Sequence, residues 1–252
     1  MDILISFIVA IGINMLMFIP AFIWKTDKLT DISYAVTFVA LVLFGFLTNV
    51  ITLPKIILLA MISVWAIRLG TYLLVRIWKT GRDRRFDDKR DFFWKFLGFW
   101  LLQGLTVWVV MIPSTFFLGI DETYMTALSF VGLGVWVVGL ILESLADAQK
   151  YKFINNVDNK GKWIQSGVWS FSRHPNYLGE IMVWIGVYLF VICSLPLSEK
   201  LVSLIGPLFI AGLIIFVSGI PLLEKYSDDR WGEDPKYQAY KKQVGVLFPK
   251  IF

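Results

Sequence analysis

Seven long runs of apolar residues follow one another along the chain, separated by shorter polar stretches. Each run holds about 20 residues or more, the length that an α-helix needs to cross the hydrocarbon core of a bilayer. The pattern therefore predicts an all-α, polytopic membrane bundle of about seven transmembrane helices. The predicted spans are 3–24, 32–53, 56–78, 92–119, 124–142, a sixth helix that begins at Pro175 and contains the apolar run 181–194, and 201–223.

Basic residues are concentrated in alternate polar segments. They gather at 25–28, 79–90, 150–173 and 225–250, whereas 49–55, 119–123 and 195–200 hold only Lys55 and Lys200. The positive-inside rule then places the N-terminus outside and the C-terminus in the cytoplasm. Anionic lipid headgroups are the expected partners of the basic segments. Nucleic acid is not an expected partner, because base-stacking aromatic residues do not accompany the basic ones.

Composition agrees with a membrane protein. Of the 252 residues, 57% are hydrophobic and 17% are charged, and the mean hydropathy is +0.69. Soluble domains have about 45–50% apolar and about 25% charged residues. The single cysteine, Cys193, lies in an apolar run, where a packed thiol is expected. One histidine and one buried thiol leave only carboxylates as ligands, so no metal site is expected.

Three polar side chains within the N-terminal spans are candidates for substrate contact, namely Tyr34, Arg68 and Gln103. Polar groups within spans are costly and usually face the protein interior or a water-filled cavity. Arg68 is far from either end of its span, and Asp31 is a candidate partner. Tyr34 and Gln103 have two alternative roles: they bind a substrate carbonyl, or they join helices, which is the commoner role in a bundle.

A stripe of ionisable residues continues the fifth span toward Phe153. Glu143, Asp147, Lys150 and Tyr151 are spaced i, i+4, i+7 and i+8, so one helix face presents two acids, a base and a phenol. Taken alone, this stripe is typical of an amphipathic helix end with an internal salt bridge.

A second polar cluster stands before the sixth span, in the sequence Ser-Arg-His-Pro-Asn-Tyr-Leu-Gly-Glu at 172–180. Pro175 has a fixed φ and no N–H, which makes it a natural first residue of a helix. Asn176 and Tyr177 then lie in the first turn, where free N–H groups and the positive end of the helix dipole favour an anion.

The flanking residues add to this predicted site. Arg173 and His174 supply donors beside the anion, and Glu180 is able to accept hydrogen bonds from a ribose, an amide or an ammonium group. An ordinary helix-boundary role is the alternative, but five polar groups in eight residues favour a cofactor site. The chain has neither a Gly-x-Gly-x-x-Gly turn nor a P-loop, which argues against a Rossmann or P-loop site.

The 172–180 sequence resembles the signature of the steroid 5-alpha-reductase-like membrane proteins, in particular an incompletely characterised, mostly bacterial branch. Other matching segments are Asp31-x-x-Tyr34-x-x-x-Phe38, Trp65-Ala-Ile-Arg-Leu-Gly70, Leu102-Gln-Gly104 and Tyr237-x-x-Tyr240 up to Pro249. The same superfamily contains isoprenylcysteine carboxyl methyltransferases and phospholipid methyltransferases, which have a similar Arg-His-Pro-x-Tyr motif and a similar acidic helix.

The sequence has no internal repeat, low-complexity tract or linker, so one integral-membrane domain, 1–252, is predicted. The resemblance implies a bacterial inner membrane. Residues 1–123 would form substrate-side helices, and 124–252 would bind the cofactor on the cytoplasmic side. Cofactor-binding roles carry over to Asp147 and Asn176 and to Glu180. The full set of expected cofactor-binding residues is Glu143, Asp147, Lys150, Arg173, His174, Asn176, Tyr177, Glu180 and Glu224.

Two positions depart from the steroid enzymes. Glu143 stands where those enzymes have asparagine, and Glu224 stands where they have histidine. Both differences place an additional carboxylate near the expected cofactor. The pairing of Glu224 with the Arg-His-Pro motif is closer to the methyltransferases.

Two enzymatic functions follow from the resemblance. The first is reduction of a conjugated enone in a lipid or sterol-like substrate by NADPH, with Tyr34, Arg68 or Gln103 stabilising the developing charge on oxygen. The second is methyl transfer from S-adenosylmethionine to a carboxylate, amine or thiol of a lipid or prenylated substrate. Here Arg173 binds the cofactor carboxylate, and the sulfonium and ribose are bound by Glu143, Glu180 and Glu224. A non-enzymatic lipid-binding protein is a third hypothesis. The reductase is favoured by Asn176 and by the match across the N-terminal half.

Overall fold

The computed structural model describes residues 2–81 and 86–250, which are mainly helical and contain no β-strand. The α-helices are α1 (Ile3–Ile23), α2 (Thr30–Leu47), α3 (Leu53–Thr80), α4 (Phe93–Gly119), α5 (Ala127–Asn155), α6 (Pro175–Val191), α7 (Leu197–Ser203), α8 (Ile205–Gly212), α9 (Ile220–Trp231) and α10 (Pro235–Gln243). Residues 82–85 of the predicted basic segment 79–90 lie outside the described residues.

Seven helical segments of the described chain are long and apolar enough to cross a membrane. They are Ile3–Ile23, Thr30–Leu47, Leu53–Thr80, Phe93–Gly119, Ala127–Asn155, Pro175–Ser194 and Leu197–Trp231. The predicted class, an all-α polytopic membrane protein, is therefore confirmed. The orientation of the termini and the identity of the membrane stay predictions.

Helix boundaries follow local chemistry. The Asp2 side chain caps α1 by accepting hydrogen bonds from the Leu4 and Ile5 N–H groups at 2.6 and 3.2 Å. Pro175 is the first residue of α6, as predicted. Helix α5 continues through the polar stripe to Asn155, because straight-chain residues such as Glu, Gln and Lys sustain a helix.

The predicted seventh span, 201–223, differs most from the structure. The segment Leu197–Trp231 consists of α7, α8, a π-helical turn at Leu213–Val217, and α9. In the π turn the Ser218 N–H donates to Leu213 O, 2.8 Å away. Pro221 in the first turn of α9 restarts the helix. Residues 224–231, which follow the predicted seventh span, therefore lie on α9.

The chain divides into two compact units. The first contains 1–130 and 187–206, and the second contains 131–186 and 207–252. The predicted halves, 1–123 and 124–252, differ from these units chiefly in the assignment of 187–206. The single domain expected from sequence stays a prediction.

A buried polar network joins α1, α2 and α4 in the first unit. Gln103 Nε2 lies 2.9 Å from Asn14 Oδ1, 3.0 Å from Ser33 Oγ and 3.2 Å from Thr30 O. Asn14 Nδ2 in turn donates to Thr37 Oγ1 at 3.2 Å. Interhelical hydrogen bonds of this kind hold membrane helices together, since packing against lipid gives no hydrophobic driving force between them.

Candidate functional site

Glycines bring α5 and α6 into backbone contact in the second unit. A Cβ added to Gly179 would lie 2.6 Å from Glu143 N and 2.7 Å from Gly139 O. One added to Gly186 would lie 2.7 Å from Gly132 O. Nonbonded atoms do not approach so closely, so each contact requires glycine. The two helices run antiparallel, and the contact sets the backbone of Glu143 against α6.

The acidic stripe of α5 therefore lies beside the first turns of α6. Glu143 and Asp147 are 2% and 4% exposed, respectively. Burying carboxylates costs free energy unless they are hydrogen-bonded or paired, so two of them at one helix contact mark a polar site within an apolar unit. The structure thus brings together the two polar clusters singled out in the sequence.

The turn 167–170 is bound to the end of α5. Trp169 Nε1 donates to Ala146 O at 3.1 Å, and the Val168 N–H donates to Gln149 Oε1 at 3.0 Å. The Lys150 ammonium lies 5.0 Å from the centroid of the Trp169 ring, a cation–π distance. These contacts fix the chain that leads into the 172–180 motif.

The Arg173 side chain is engaged by protein groups. Nε and Nη2 form a two-point ion pair with the Glu224 carboxylate at 3.1 and 2.9 Å, and Nη1 donates to Lys241 O and Val244 O at 3.0 and 3.1 Å. Four of the five guanidinium N–H groups are thereby used. Arg173 joins the start of α6 to α9, to α10 and to Val244 after α10. Its role in cofactor binding stays a prediction.

Glu224 is the centre of a charge network. Besides Arg173, it contacts His174 Nε2 at 2.8 Å and the Lys241 ammonium at 3.3 Å, and Lys241 also pairs with Asp228 at 2.6 Å. Two carboxylates and two permanent cations balance one another when His174 is neutral. Charge-assisted hydrogen bonds of this kind are stronger than neutral ones and fix geometry.

His174 is buried and held in one tautomer. Only 5% of the residue is exposed, and burial lowers its pKa from 6.5, partly offset by the hydrogen bond and charge of Glu224. In the neutral ring the Nε2–H donates to Glu224, so Nδ1 carries the lone pair. Nδ1 is buried without a hydrogen-bond partner among the described residues.

Asn176 presents a second buried acceptor one residue into α6. Its Oδ1 also has no hydrogen-bond partner within residues 2–81 and 86–250. Tyr177, the next residue, stacks on the His174 ring with centroids 5.8 Å apart. It also lies close to Gly219, whose added Cβ would be 3.2 Å from the Tyr177 ring. The start of α6 therefore combines two unsatisfied acceptors with an aromatic wall.

The chain after α10 completes this part of the unit, which sequence reasoning did not predict. The Arg173 N–H donates to Gly245 O at 2.9 Å, and the His174 N–H donates to Val246 O at 3.1 Å. A Cβ on Gly245 would overlap Phe248 O, so the turn requires glycine. Tyr240 donates to Trp169 O at 2.9 Å, and burial raises its pKa to about 12.

The nine predicted cofactor-binding residues all belong to the second unit, whereas Tyr34, Arg68 and Gln103 belong to the first. Lys241, which sequence reasoning missed, stands one residue after Tyr240 in the segment that carried the resemblance. In the first unit, the Arg68 guanidinium lies 5.8 Å from the Tyr72 ring centroid. Asp31 pairs with Arg76 at 3.3 Å, and its pairing with Arg68 stays a prediction.

The described residues contain no group of three or more His, Cys, Asp or Glu side chains that could hold a metal ion. The expected absence of a metal site stays a prediction.

The lowered pKa of His174 predicts a pH-dependent stability. Because the unfolded chain binds this proton more readily than the folded chain, acid favours unfolding. The free energy of unfolding should fall as the pH drops below 6.5 and should level off below the lowered folded pKa. The His174→Gln variant, measured by thermal unfolding in detergent between pH 8 and pH 5, should lose this part of the decline. Parallel profiles for the two proteins would contradict the prediction.

Comparison with known proteins gives a family but no activity. The family model described as "Protein of unknown function (DUF1295)" matches residues 17–244. The chain is also 27% identical over 149 residues to "Uncharacterized protein C594.04c" of Schizosaccharomyces pombe, an alignment that covers 52% of this chain and 42% of that protein. No solved structure matches the chain. Because the family model covers most of its length, the chain belongs to the family described as "Protein of unknown function (DUF1295)".

Proposed function

We propose that the protein is a membrane-embedded reductase that uses NADPH to saturate the C=C bond of a conjugated enone in a lipid or sterol-like substrate. The observation that carries this proposal is the pair of buried acceptors at the start of α6, His174 Nδ1 and Asn176 Oδ1. Leaving a buried polar atom unsatisfied costs about 1–3 kcal/mol, so a ligand that donates to both atoms gains affinity there.

The residues present fit the donor-rich parts of a dinucleotide. A carboxamide, two riboses and an exocyclic amine offer N–H and O–H groups, and these complement His174, Asn176 and the Glu180 carboxylate. The α6 N-terminus and Lys150 would hold phosphate oxygens, since helix N-termini favour anions. The Tyr177 ring adds an apolar wall on which a planar ring can stack.

When bound, NADPH supplies the hydride that reaches the β-carbon of the enone. The residues of the chain hold and orient the cofactor, and the buried surroundings of His174 keep water from its acceptor nitrogen. A donor to the substrate carbonyl is also needed, because charge develops on that oxygen. Tyr34, Arg68 and Gln103 stay predictions for this role. The Gln103 amide already bonds Asn14 and Ser33 in the helix network, so Tyr34 and Arg68 are favoured as the donor to the substrate carbonyl.

Methyl transfer from S-adenosylmethionine is the second candidate function. The buried carboxylates of Glu143 and Asp147 favour it, because acids suit a sulfonium and an ammonium group. However, this alternative assigns Arg173 to the cofactor carboxylate and Glu224 to the sulfonium or ribose. In the structure these two side chains bind each other instead. For this reason we prefer the reductase.

Cofactor binding by the purified protein tests the proposal. NADPH present at 100 times its dissociation constant should stabilise the protein against thermal unfolding by about 2.7 kcal/mol. Asn176→Leu should weaken NADPH binding about 10-fold or more, since the ligand donor then lacks its acceptor. Glu180→Gln should abolish the shift and leave the fold intact. Asn155→Leu, which changes an exposed amide at the end of α5, is the matched control and should bind normally.

The outcomes separate the three hypotheses. Stabilisation by S-adenosylmethionine and not by NADPH would establish the methyltransferase alternative over the reductase. Stabilisation by neither cofactor would leave a lipid-binding protein. Equal NADPH affinity in Asn176→Leu and the wild type would show that the buried acceptor of Asn176 does not bind NADPH.

A further inference from the structure

A cleft of about 470 Å³ lies in the first unit, where α1 ends, α2 begins and the last third of α3 passes. Its walls are mainly apolar and include Ile32 and Leu74, and its polar lining groups are Thr26 and Lys28. The volume falls within the range of small-molecule sites, about 300–1,000 Å³. None of the residues predicted to bind the cofactor or the substrate lines this cleft.

Two tryptophans flank this cleft and remain largely exposed. Trp24 and Trp78 both line it, and each is 70% exposed. Both stand at the ends of membrane-length helices, Trp24 directly after α1 and Trp78 in the last turn of α3. Tryptophan at such positions is typical of the bilayer interface, where the indole ring lies at the level of the lipid headgroups. The cleft therefore opens where phospholipids are present.

Lys28 differs from two neighbouring basic residues in its ion pairing. Lys25 pairs with Asp91 at 3.2 Å, and Arg76 pairs with Asp31 at 3.3 Å. Lys28 is exposed, lines the cleft, and forms no ion pair with any residue in the described ranges 2–81 and 86–250. An anion that enters this cleft therefore meets a cation that the fold has not neutralised.

We propose that this cleft binds one anionic phospholipid. An acyl chain packs between Ile32 and Leu74 and against the tryptophan rings. The phosphate oxygens accept hydrogen bonds from the Lys28 ammonium and the Thr26 hydroxyl. Lysine reaches the headgroup level by burying its flexible apolar stem and keeping the ammonium in the polar region. A single lysine near a charged headgroup gives about a fivefold preference for an anionic lipid over a zwitterionic one.

Lipid binding to the purified full chain tests this inference. Native mass spectrometry in a neutral detergent would compare dioleoylphosphatidylglycerol with dioleoylphosphatidylcholine. The wild type should bind one phosphatidylglycerol about fivefold more tightly than phosphatidylcholine. Lys28→Gln should lose that preference. Lys25→Gln, with the same charge change at a lysine outside the cleft lining, should keep it.

A second pair of variants tests the acyl-chain position independently of charge. Leu74→Trp fills the cleft and should weaken binding of both lipids. Val75→Trp, at the adjacent and more exposed position, should leave binding unchanged. Equal affinity of the wild type for the two lipids would overturn the proposal, as would equal losses in Lys28→Gln and Lys25→Gln. Displacement of phosphatidylglycerol by 4-cholesten-3-one would assign the cleft to an enone substrate and overturn it as well.

Discussion

Glu224→Leu is expected to lower the free energy of unfolding by about 3 kcal/mol, the lower end of the loss found when one partner of a buried ion pair is removed, because this pair is only partly buried. The Glu224 carboxylate accepts two hydrogen bonds from Arg173, contacts His174 Nε2, and lies 3.3 Å from the Lys241 ammonium. The Arg173 side chain is only 10% exposed. Arginine does not deprotonate in proteins, so its buried charge would stay uncompensated. Thermal unfolding in detergent micelles, followed by circular dichroism, measures the effect.

Two variants control for this result. Asp229→Asn removes a charge from an exposed position of α9 and should change stability by less than about 0.5 kcal/mol. Arg173→Met combined with Glu224→Leu should recover most of the loss, because an apolar pair replaces the ion pair. Lys241 keeps Asp228 as a partner in both backgrounds. If Glu224→Leu unfolded at the same temperature as Asp229→Asn, the network would contribute nothing to the fold.

The same network prepares the candidate site. It connects the start of α6, the first half of α9 and the segment 244–246 around one carboxylate. Its hydrogen bond to His174 Nε2 sets the tautomer, and the tautomer makes Nδ1 an acceptor. The acceptor character of the proposed cofactor site thus depends on Glu224, which lies 50 residues away in sequence.

The membrane helices were predictable because the bilayer imposes a length on each apolar run. The start of α6 at Pro175 and the continuation of α5 past Glu143 followed from local rules of helix formation. The breaks in the seventh segment were missed, although Gly219 and Pro221 mark the start of α9 in the sequence. Hydropathy alone does not distinguish a continuous span from several short helices in line.

The contacts of the candidate site were only partly predictable. Spacing along α5 identified the acidic stripe, because residues four apart share a helix face. Spacing could not show that Arg173 binds Glu224, or that Gln103 binds Asn14, because these contacts depend on which helices become neighbours. The role of Gly245 was also hidden, since a single glycine in a polar tail has no pattern that identifies its partner.

Gly179→Ala is expected to lower the free energy of unfolding by about 3 kcal/mol, the upper end of the usual cost of overpacking. The added Cβ would lie 2.6 Å from Glu143 N, 2.7 Å from Gly139 O and 2.8 Å from Glu143 Cβ. Two of these atoms are backbone, so no side-chain rotation relieves the clash. Helices α5 and α6 must instead move apart, which displaces Glu143 from the start of α6. Thermal unfolding and NADPH titration of the same variant measure both consequences.

The matched control, Gly134→Ala, is expected to change the free energy of unfolding in the opposite direction. Gly134 lies on the exposed side of α5 with no atom within 4 Å of an added Cβ. Gly134→Ala should therefore be neutral or stabilising by up to about 1 kcal/mol, because alanine favours the helix more than glycine does. A general loss of helix flexibility would affect both variants in the same direction, whereas a backbone clash affects Gly179 alone. If Gly179→Ala were as stable as Gly134→Ala, the close approach of α5 to α6 would be wrong, and with it the position of Glu143 beside Gly179.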